Sequence, residues 1–379
     1  MASSYRTLLA VAATLTLPLV AGCGRTADQG SAVSVSTTAR SGGATSPATS
    51  IVCPSAGTAG KLTETGSSLL FPLFQAWASA YHSVTITPAS TRSGTGIACA
   101  SAGKADIGAS DAFLSSGNLV QNPNLLNIPL VISAQQINYN LPKVSPSTHV
   151  KLSGAILAQM YEGTITTWNN QQIQALNPGI SLPSTKVVPL YRSDSSGDTF
   201  LFSSYLSSTY PAWSTAIGYG TLVAWPTVPG AMPETSNGDM VAGCQSTPGC
   251  VAYIGISYLS KALAAGLGEA ELENASGAFL LPDPASMREA VDSFLSAIPP
   301  NETISMVNGP AKAGYPIVNF EYAIVAKNQP DPAKARDIKS FLQWAITTGN
   351  ATGFLHAIGF QPLPAPIVTL ADDQIARIR

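Results

Sequence analysis

The sequence predicts an α/β protein, mainly on parallel sheet and large enough for two domains. Three observations carry this. Strand-like runs alternate with helix-like patterns along the chain. Several short Gly/Ser/Thr turns stand directly before helix-like segments. About 320 residues follow a Ser/Thr/Ala/Gly-rich leader, enough to bury a large core.

The leader comes first. Arg6 precedes an apolar run, 8–20, too short to cross a bilayer as a helix. It ends in Val20-Ala21-Gly22-Cys23, small residues directly before a cysteine. Residues 1–22 therefore read as a lipoprotein signal peptide, with Cys23 as the acylated first residue after cleavage. The plainer alternative is an ordinary signal peptide with an incidental cysteine. Residues 23–58 read as a disordered tether, with only Arg25, Asp28 and Arg40 charged. Such a segment cannot bury enough surface to offset the entropy of ordering it. It would hold a folded body away from a membrane surface.

In the body, apolar β-rich runs occur at 128–132, 136–140, 187–191, 251–254 and 317–325. Helical spacing of apolar residues appears at Phe71, Phe74, Trp77 and Tyr81. It recurs at Ile156, Leu157, Met160 and Tyr161, with Ser153 as the cap and Gly163 as the stop. Two later helices carry Met287, Ala290, Val291 and Phe294, and Ile338, Phe341, Leu342 and Ala345. These aromatic stripes read as core faces.

The composition is globular, 45% hydrophobic and 11% charged. A net charge of −2 without any basic block argues against a nucleic-acid partner. Apart from Cys23 there are four cysteines, an even number in an exported chain. Cys244 and Cys250 bracket a tight loop that favours pairing, which leaves Cys53 and Cys99 to pair with each other. Zinc is the competing reading. The spacing is not C-x-x-C, and His82, His149 and His356 do not cluster in sequence with cysteines. No metal and no cofactor is expected.

The chemistry concentrates at Tyr-Arg-Ser-Asp-Ser-Ser-Gly-Asp-Thr-Phe, residues 191–200. A strand-like run enters this turn, and a helix-like pattern on Phe200, Leu201, Tyr205 and Leu206 leaves it. The first amide groups of a helix lack intrahelical acceptors, and the helix dipole favours an anion there. Arg192 adds a planar fork suited to a tetrahedral oxyanion. Two more turns share this logic, 65–69 before the Phe71 helix and 92–96 before 97–102. Then 106–111 is a short apolar segment ending in Asp111. Singly, each turn usually does no more than cap a helix. Three of them, with an arginine and a spare aspartate, point to an anion cleft.

Together these segments resemble a known family. Thr63-Glu64-Thr65-Gly66-Ser67-Ser68 with Pro72 and Trp77, Ile107-Gly108-Ala109-Ser110-Asp111, and Arg192-Ser193-Asp194-Ser195-Ser196-Gly197 follow one another in the family's order. So do Gly249-Cys250-Val251-Ala252-Tyr253-Ile254-Gly255 and Tyr315-Pro316-Ile317. From Leu62 to the C-terminus the chain resembles the phosphate-binding lipoproteins of the ABC phosphate importer, the PstS family, most nearly its actinobacterial form.

The resemblance implies a two-domain periplasmic-binding-protein-like fold of type II, its hinge crossed twice and its ligand cleft between domains. Domain I would be 59–137 plus 313–379, and domain II 138–312. It implies a monomer that is lipid-anchored through Cys23 on the extracytoplasmic face of the cell membrane. That monomer would bind inorganic phosphate and deliver it to the permease membrane subunits. Ser68 would give its hydroxyl and N–H, Leu69 an N–H, and Ser93 a donor from the second turn. Asp111 would accept a ligand proton. Arg192 would grip the anion, Ser196 would donate from hydroxyl and N–H, and Gly197 from N–H. Asp194 would orient Arg192. The family often has Thr or Ser at position 198. Asp198 either pairs with Arg192 or meets a second ligand proton.

An enzyme is disfavoured. There is no G-x-S-x-G elbow, no histidine near Ser196 in sequence, and no G-x-x-x-x-G-K-[ST] loop.

Overall fold

The computed structural model describes residues 51–379. The signal peptide, Cys23 and the tether as far as residue 50 lie outside the described residues. Residues 51–57 carry no regular element, yet they are tied to the body. Cys53 is joined to Cys99, and the Gly57 N–H donates to the Asp106 carboxylate at 2.8 Å. Cys244 is joined to Cys250. Both pairings are those expected, the short loop from its spacing and Cys53–Cys99 as the pair left over.

The strands are β1 (Lys61–Gly66), β2 (Thr85–Thr87), β3 (Ile107–Ser110), β4 (Leu125–Tyr139), β5 (Lys151–Leu152) and β6 (Val188–Arg192). They continue with β7 (Met232–Glu234), β8 (Cys250–Gly255), β9 (Gly268–Glu269), β10 (Glu271–Glu273), β11 (Phe279–Leu280) and β12 (Val318–Ala326). The main sheet runs β2-β1-β3-β12-β4-β8-β6-β7, with β9 also on β4. A small second sheet holds β11, β10 and β5. Helices pack against the main sheet, which is the expected α/β architecture.

The expectation of mainly parallel sheet needs correction, because the main sheet is mixed. β1 pairs in parallel with β2 and β3, and β6 in parallel with β7 and β8. The centre is antiparallel: β12 runs against β3 and β4, and β4 against β8. Strand direction is set by long-range pairing, which local patterning does not encode.

Strand β4 also differs from the sequence reading, which split it into two runs. It is one fifteen-residue strand, buried throughout. From 125 to 134 it pairs with β12, and from 135 to 139 with β8. The polar residues that seemed to break it are buried and used. The Ser133 hydroxyl donates to Glu321, and Gln135 Nε2 donates to the Asp198 carbonyl at 2.9 Å. Burial on both faces suits a central strand.

The helices follow their apolar periodicity. Phe71–Ala80 buries Leu73, Phe74 and Trp77, and its ring faces meet Phe341 on the helix Pro332–Ile346. Trp77 satisfies its indole N–H on the Gly349 carbonyl at 2.9 Å. In Gly154–Tyr161 the Ser153 hydroxyl accepts from the Ile156 N–H, and the chain leaves the helix through Gly163 at φ 75°. Pro284–Asp292 stops two residues before Phe294, which packs on the core from the following turn.

Candidate functional site

Three chain reversals converge between the two halves of the main sheet. The first follows β1. The Ser67 hydroxyl accepts from the N–H groups of Leu69 (3.0 Å) and Leu70 (3.1 Å), which fixes the turn into the helix Phe71–Ala80. The second opens the helix Ser93–Ser101, where Arg92 takes φ 92° and no side chain caps the end. That helix starts earlier than 97–102, because Ser93-Gly94-Thr95-Gly96 is itself its first turn. The third is the Arg192 segment. Strand β6 ends at Arg192 and the helix Gly197–Thr209 begins five residues later. Its N-cap, Ser196, has extended backbone but makes no capping bond from its side chain. Among the described residues, the N–H groups of Ser68 and Gly197 have no protein acceptor. Orphan donors at a buried helix start form an anion nest.

These turns touch across the cleft. The Gly94 N–H donates to the Ser195 carbonyl at 3.0 Å, and Arg92 Nε lies 3.5 Å from Asp194 Oδ2. The rings of Phe113 and Phe200 meet edge to face at 5.4 Å. A Cβ on Gly197 would stand only 2.5 Å from the Asp111 carboxylate, so glycine there permits the approach.

Arg192 is the charged centre and is 1% exposed. Its fork is gripped by Asp194 through Nε–Oδ1 and Nη2–Oδ2, both at 2.6 Å. Nη1 donates to Asp198 Oδ2 at 2.9 Å and reaches Ser68 Oγ at 3.5 Å. Burial alone would lower the guanidinium pKa. The Asp194 hydrogen bonds and the charges of Asp194 and Asp198 outweigh it and hold the pKa above its ordinary value. Asp194 is thus bonded to Arg192 through two contacts, and Asp198 through one. Burial pushes the Asp198 carboxyl up to about 7, and neighbouring Asp111 adds to this. Arg192, Asn237 and Gln135 pull against it.

Asp111 lies opposite, accepting from the Ser67 hydroxyl and, at 3.0 Å, from the Ser93 hydroxyl. Ser68, Ser93, Asp111, Arg192, Ser196, Gly197 and Asp198 are therefore gathered in one place, all buried. Two details differ from the expected donor set. The Ser196 N–H is already given to the Thr221 carbonyl at 2.8 Å, and the Leu69 N–H to Ser67. Both amides lie in turns whose internal bonds use them.

Sequence reasoning missed several members. Asn237 opens the helix Asn237–Ser246, and its Nδ2 donates to Ser68 Oγ (3.0 Å) and Asp198 Oδ2 (2.8 Å). Its Oδ1 accepts from the Gly255 N–H at 2.8 Å. On β12, the Asn319 amide donates to the Asp111 carbonyl, and buried Glu321 accepts from Ser133. The available signal was Asn319 and Glu321 two apart in an apolar strand, which places both on one face.

A mixed α/β sheet whose two halves close on an arginine and helix N-termini defines a solute-binding protein of the periplasmic-binding type. The PBP superfamily domain matches residues 52–348. A phosphate-binding protein PstS of Xylella fastidiosa is 30% identical over 81% of this chain and 83% of its own. One of Methanocaldococcus jannaschii is 33% identical, over 76% and 77%. Mycobacterium bovis PstS3 is 31% identical, over 72% and 73%. The chain belongs to the PstS phosphate-binding protein family. Among solved structures, the fold matches a high-affinity periplasmic phosphate-binding protein bound with phosphate. The TM-score is 0.66 at 20% identity, covering 83% of this chain and 93% of that one. A phosphate-binding protein from Stenotrophomonas maltophilia gives 0.63 at 18% identity, over 83% and 93%.

Proposed function

We propose that this protein binds inorganic phosphate outside the cytoplasm and delivers it to an ABC import permease. The single observation that carries the site is the braced Arg192 fork beside the uncapped start of Gly197–Thr209, with Asp111 facing both. Arg192, Ser68, Ser196 and the Gly197 N–H hold the anion, with Leu69 shaping the turn beneath it and the Ser93 hydroxyl held on Asp111. Asp194 and Asp198 hold Arg192. The two lobes, 59–137 plus 313–379 and 138–312, close over the ligand, and the chain passes between them within β4 and again just before β12. The mature chain is a monomer anchored by acylated Cys23, which intact-mass measurement of the N-terminal peptide tests.

Asp111 supplies the choice of anion. Phosphate keeps at least one proton near neutral pH, whereas sulfate keeps none. Asp111 accepts a hydrogen bond from that P–OH, and facing sulfate it is an unpaired acceptor against a like charge. Sites built around such a bond reject the analogue lacking it by about four orders of magnitude. Calorimetry with phosphate, arsenate and sulfate tests this. D111N is expected to lose discrimination against sulfate, and unchanged discrimination overturns the role. The site holds its ligand rather than transforming it, so a panel of phosphate esters is expected to stay intact on incubation.

A further inference from the structure

Beside Asp111, on the neighbouring strand, lies a second carboxyl that the phosphate site does not itself use. Glu321 sits on β12, fully buried. Its Oε1 accepts from the Ser133 hydroxyl of β4, and no protein donor reaches its Oε2 among the described residues. In the antiparallel register of β12 on β3, Tyr322 pairs with Ser110, which places Glu321 across from Asp111. Two carboxylates so close cannot both ionise, so the pair shares a proton. The surroundings decide where it sits. Asp111 has the hydroxyls of Ser67 and Ser93 directed at it, which favour the anion. Glu321 has one donor, and ionised it would leave an unpaired buried charge. Burial first, then Asp111, raises its pKa well above the usual carboxylate range, with Asp198 adding to this.

We propose that Glu321 is a neutral acid whose O–H donates to Asp111, and so keeps Asp111 the charged, accepting face of the phosphate site. Glu321 is a positioning residue. It keeps the shared proton on its own carboxyl rather than on Asp111. Were the proton on Asp111, that carboxyl would become a donor, and a fully deprotonated oxyanion such as sulfate would be welcome. The charged groups bearing on Glu321 are Asp111, at the end of β3, and Asp198, in the helix Gly197–Thr209. Its strand neighbour Tyr322 is buried and held neutral, its pKa raised by burial first and then by Glu302 and Glu321. No cation is among the groups acting on Glu321.

The inference rests on Asp111 being the selecting carboxylate, so the test compares D111N, E321A and E321Q. Phosphate and sulfate affinities are measured for the full chain by calorimetry from about pH 5 to about pH 8, each variant against wild type at the same pH. E321A strips Asp111 of a donor. Its preference for phosphate over sulfate is expected to fall at least ~10-fold. E321Q keeps a neutral N–H donor and an acceptor for Ser133, and is expected to recover the wild-type preference. Infrared difference spectra at neutral pH, taken over the background of other buried acids such as Glu302, are expected to show one protonated-carboxyl band that E321Q removes and D111N leaves. If E321A keeps the wild-type preference, or the band survives in E321Q and vanishes in D111N, the inference is overturned. If D111N itself leaves discrimination unchanged, the reading of the site has failed instead, and the inference falls with it.

Discussion

At the scale of single residues, the site depends on braces. Asp194 holds the Nε/Nη2 edge of the Arg192 guanidinium, leaving Nη1 for Asp198 and Ser68. Hydrogen bonds to charged groups are worth about 1.5–3 kcal/mol, and each ~1.4 kcal/mol is tenfold in affinity. D194N turns one accepting oxygen into a donor facing the fork. Phosphate affinity is expected to drop roughly 10- to 100-fold, with the anion preference kept because Asp111 is untouched; calorimetry reads both. Glu302 is a different case, since among the described residues neither carboxyl oxygen has a protein donor. Burial, with a smaller push from Asp373, raises its pKa to about 9. A folded-state pKa raised above the unfolded value means a contribution that is complete in the acid range and lost as pH rises through about 9. E302Q has nothing to ionise. Its melting temperature is expected to match wild type near pH 4 and exceed it near pH 9, as read by thermal unfolding at about those two values. Equal melting at both ends would refute this.

At the scale of elements, the helix Gly197–Thr209 must start where Asp111 arrives from the opposite half. Gly197 lies in the first helical turn, outside the left-handed region, so alanine would suit the helix itself. Its Cβ would nevertheless collide with Asp111. G197A is therefore expected to fold with unchanged circular dichroism yet lose at least ~100-fold in phosphate affinity, because an oversized group prevents tight packing of the facing turns. Retained affinity would mean that the halves need not approach this closely. The three turns were legible because Ser, Gly and a charged residue before an apolar periodic run have a local meaning. So were Arg192 and Asp111, charges standing at the ends of strands. Asn237, Gln135 and Glu321 were not. Each is one polar residue bonded over a long stretch of sequence, 39 residues from Asn237 to Asp198 and 188 from Glu321 to Ser133. The antiparallel centre was hidden for the same reason, since β12 meets β4 only after most of the chain has been laid down.

At the scale of the whole molecule, the two disulfides do unequal work. Cys53–Cys99 closes a separation of 46 residues and fastens the segment before β1 to the helix Ser93–Ser101. Cys244–Cys250 spans 6, between the helix Asn237–Ser246 and β8, elements already in contact. On the chain-entropy model the longer loop contributes about 4 kcal/mol and the shorter about 2 kcal/mol. The longer bond is also reinforced, since Gly57, four residues on, donates to Asp106, which is paired with Lys334 at 2.8 Å. Those contacts survive its removal only if the segment stays in place. Replacing Cys53 and Cys99 with alanine is expected to lower the denaturant midpoint more than replacing Cys244 and Cys250. Phosphate affinity is expected to fall little in either case, since neither bond touches Arg192 or Asp111. A larger loss from the short loop would show that the start of Asn237–Ser246, which presents Asn237 to Ser68 and Asp198, depends on that bond for its position.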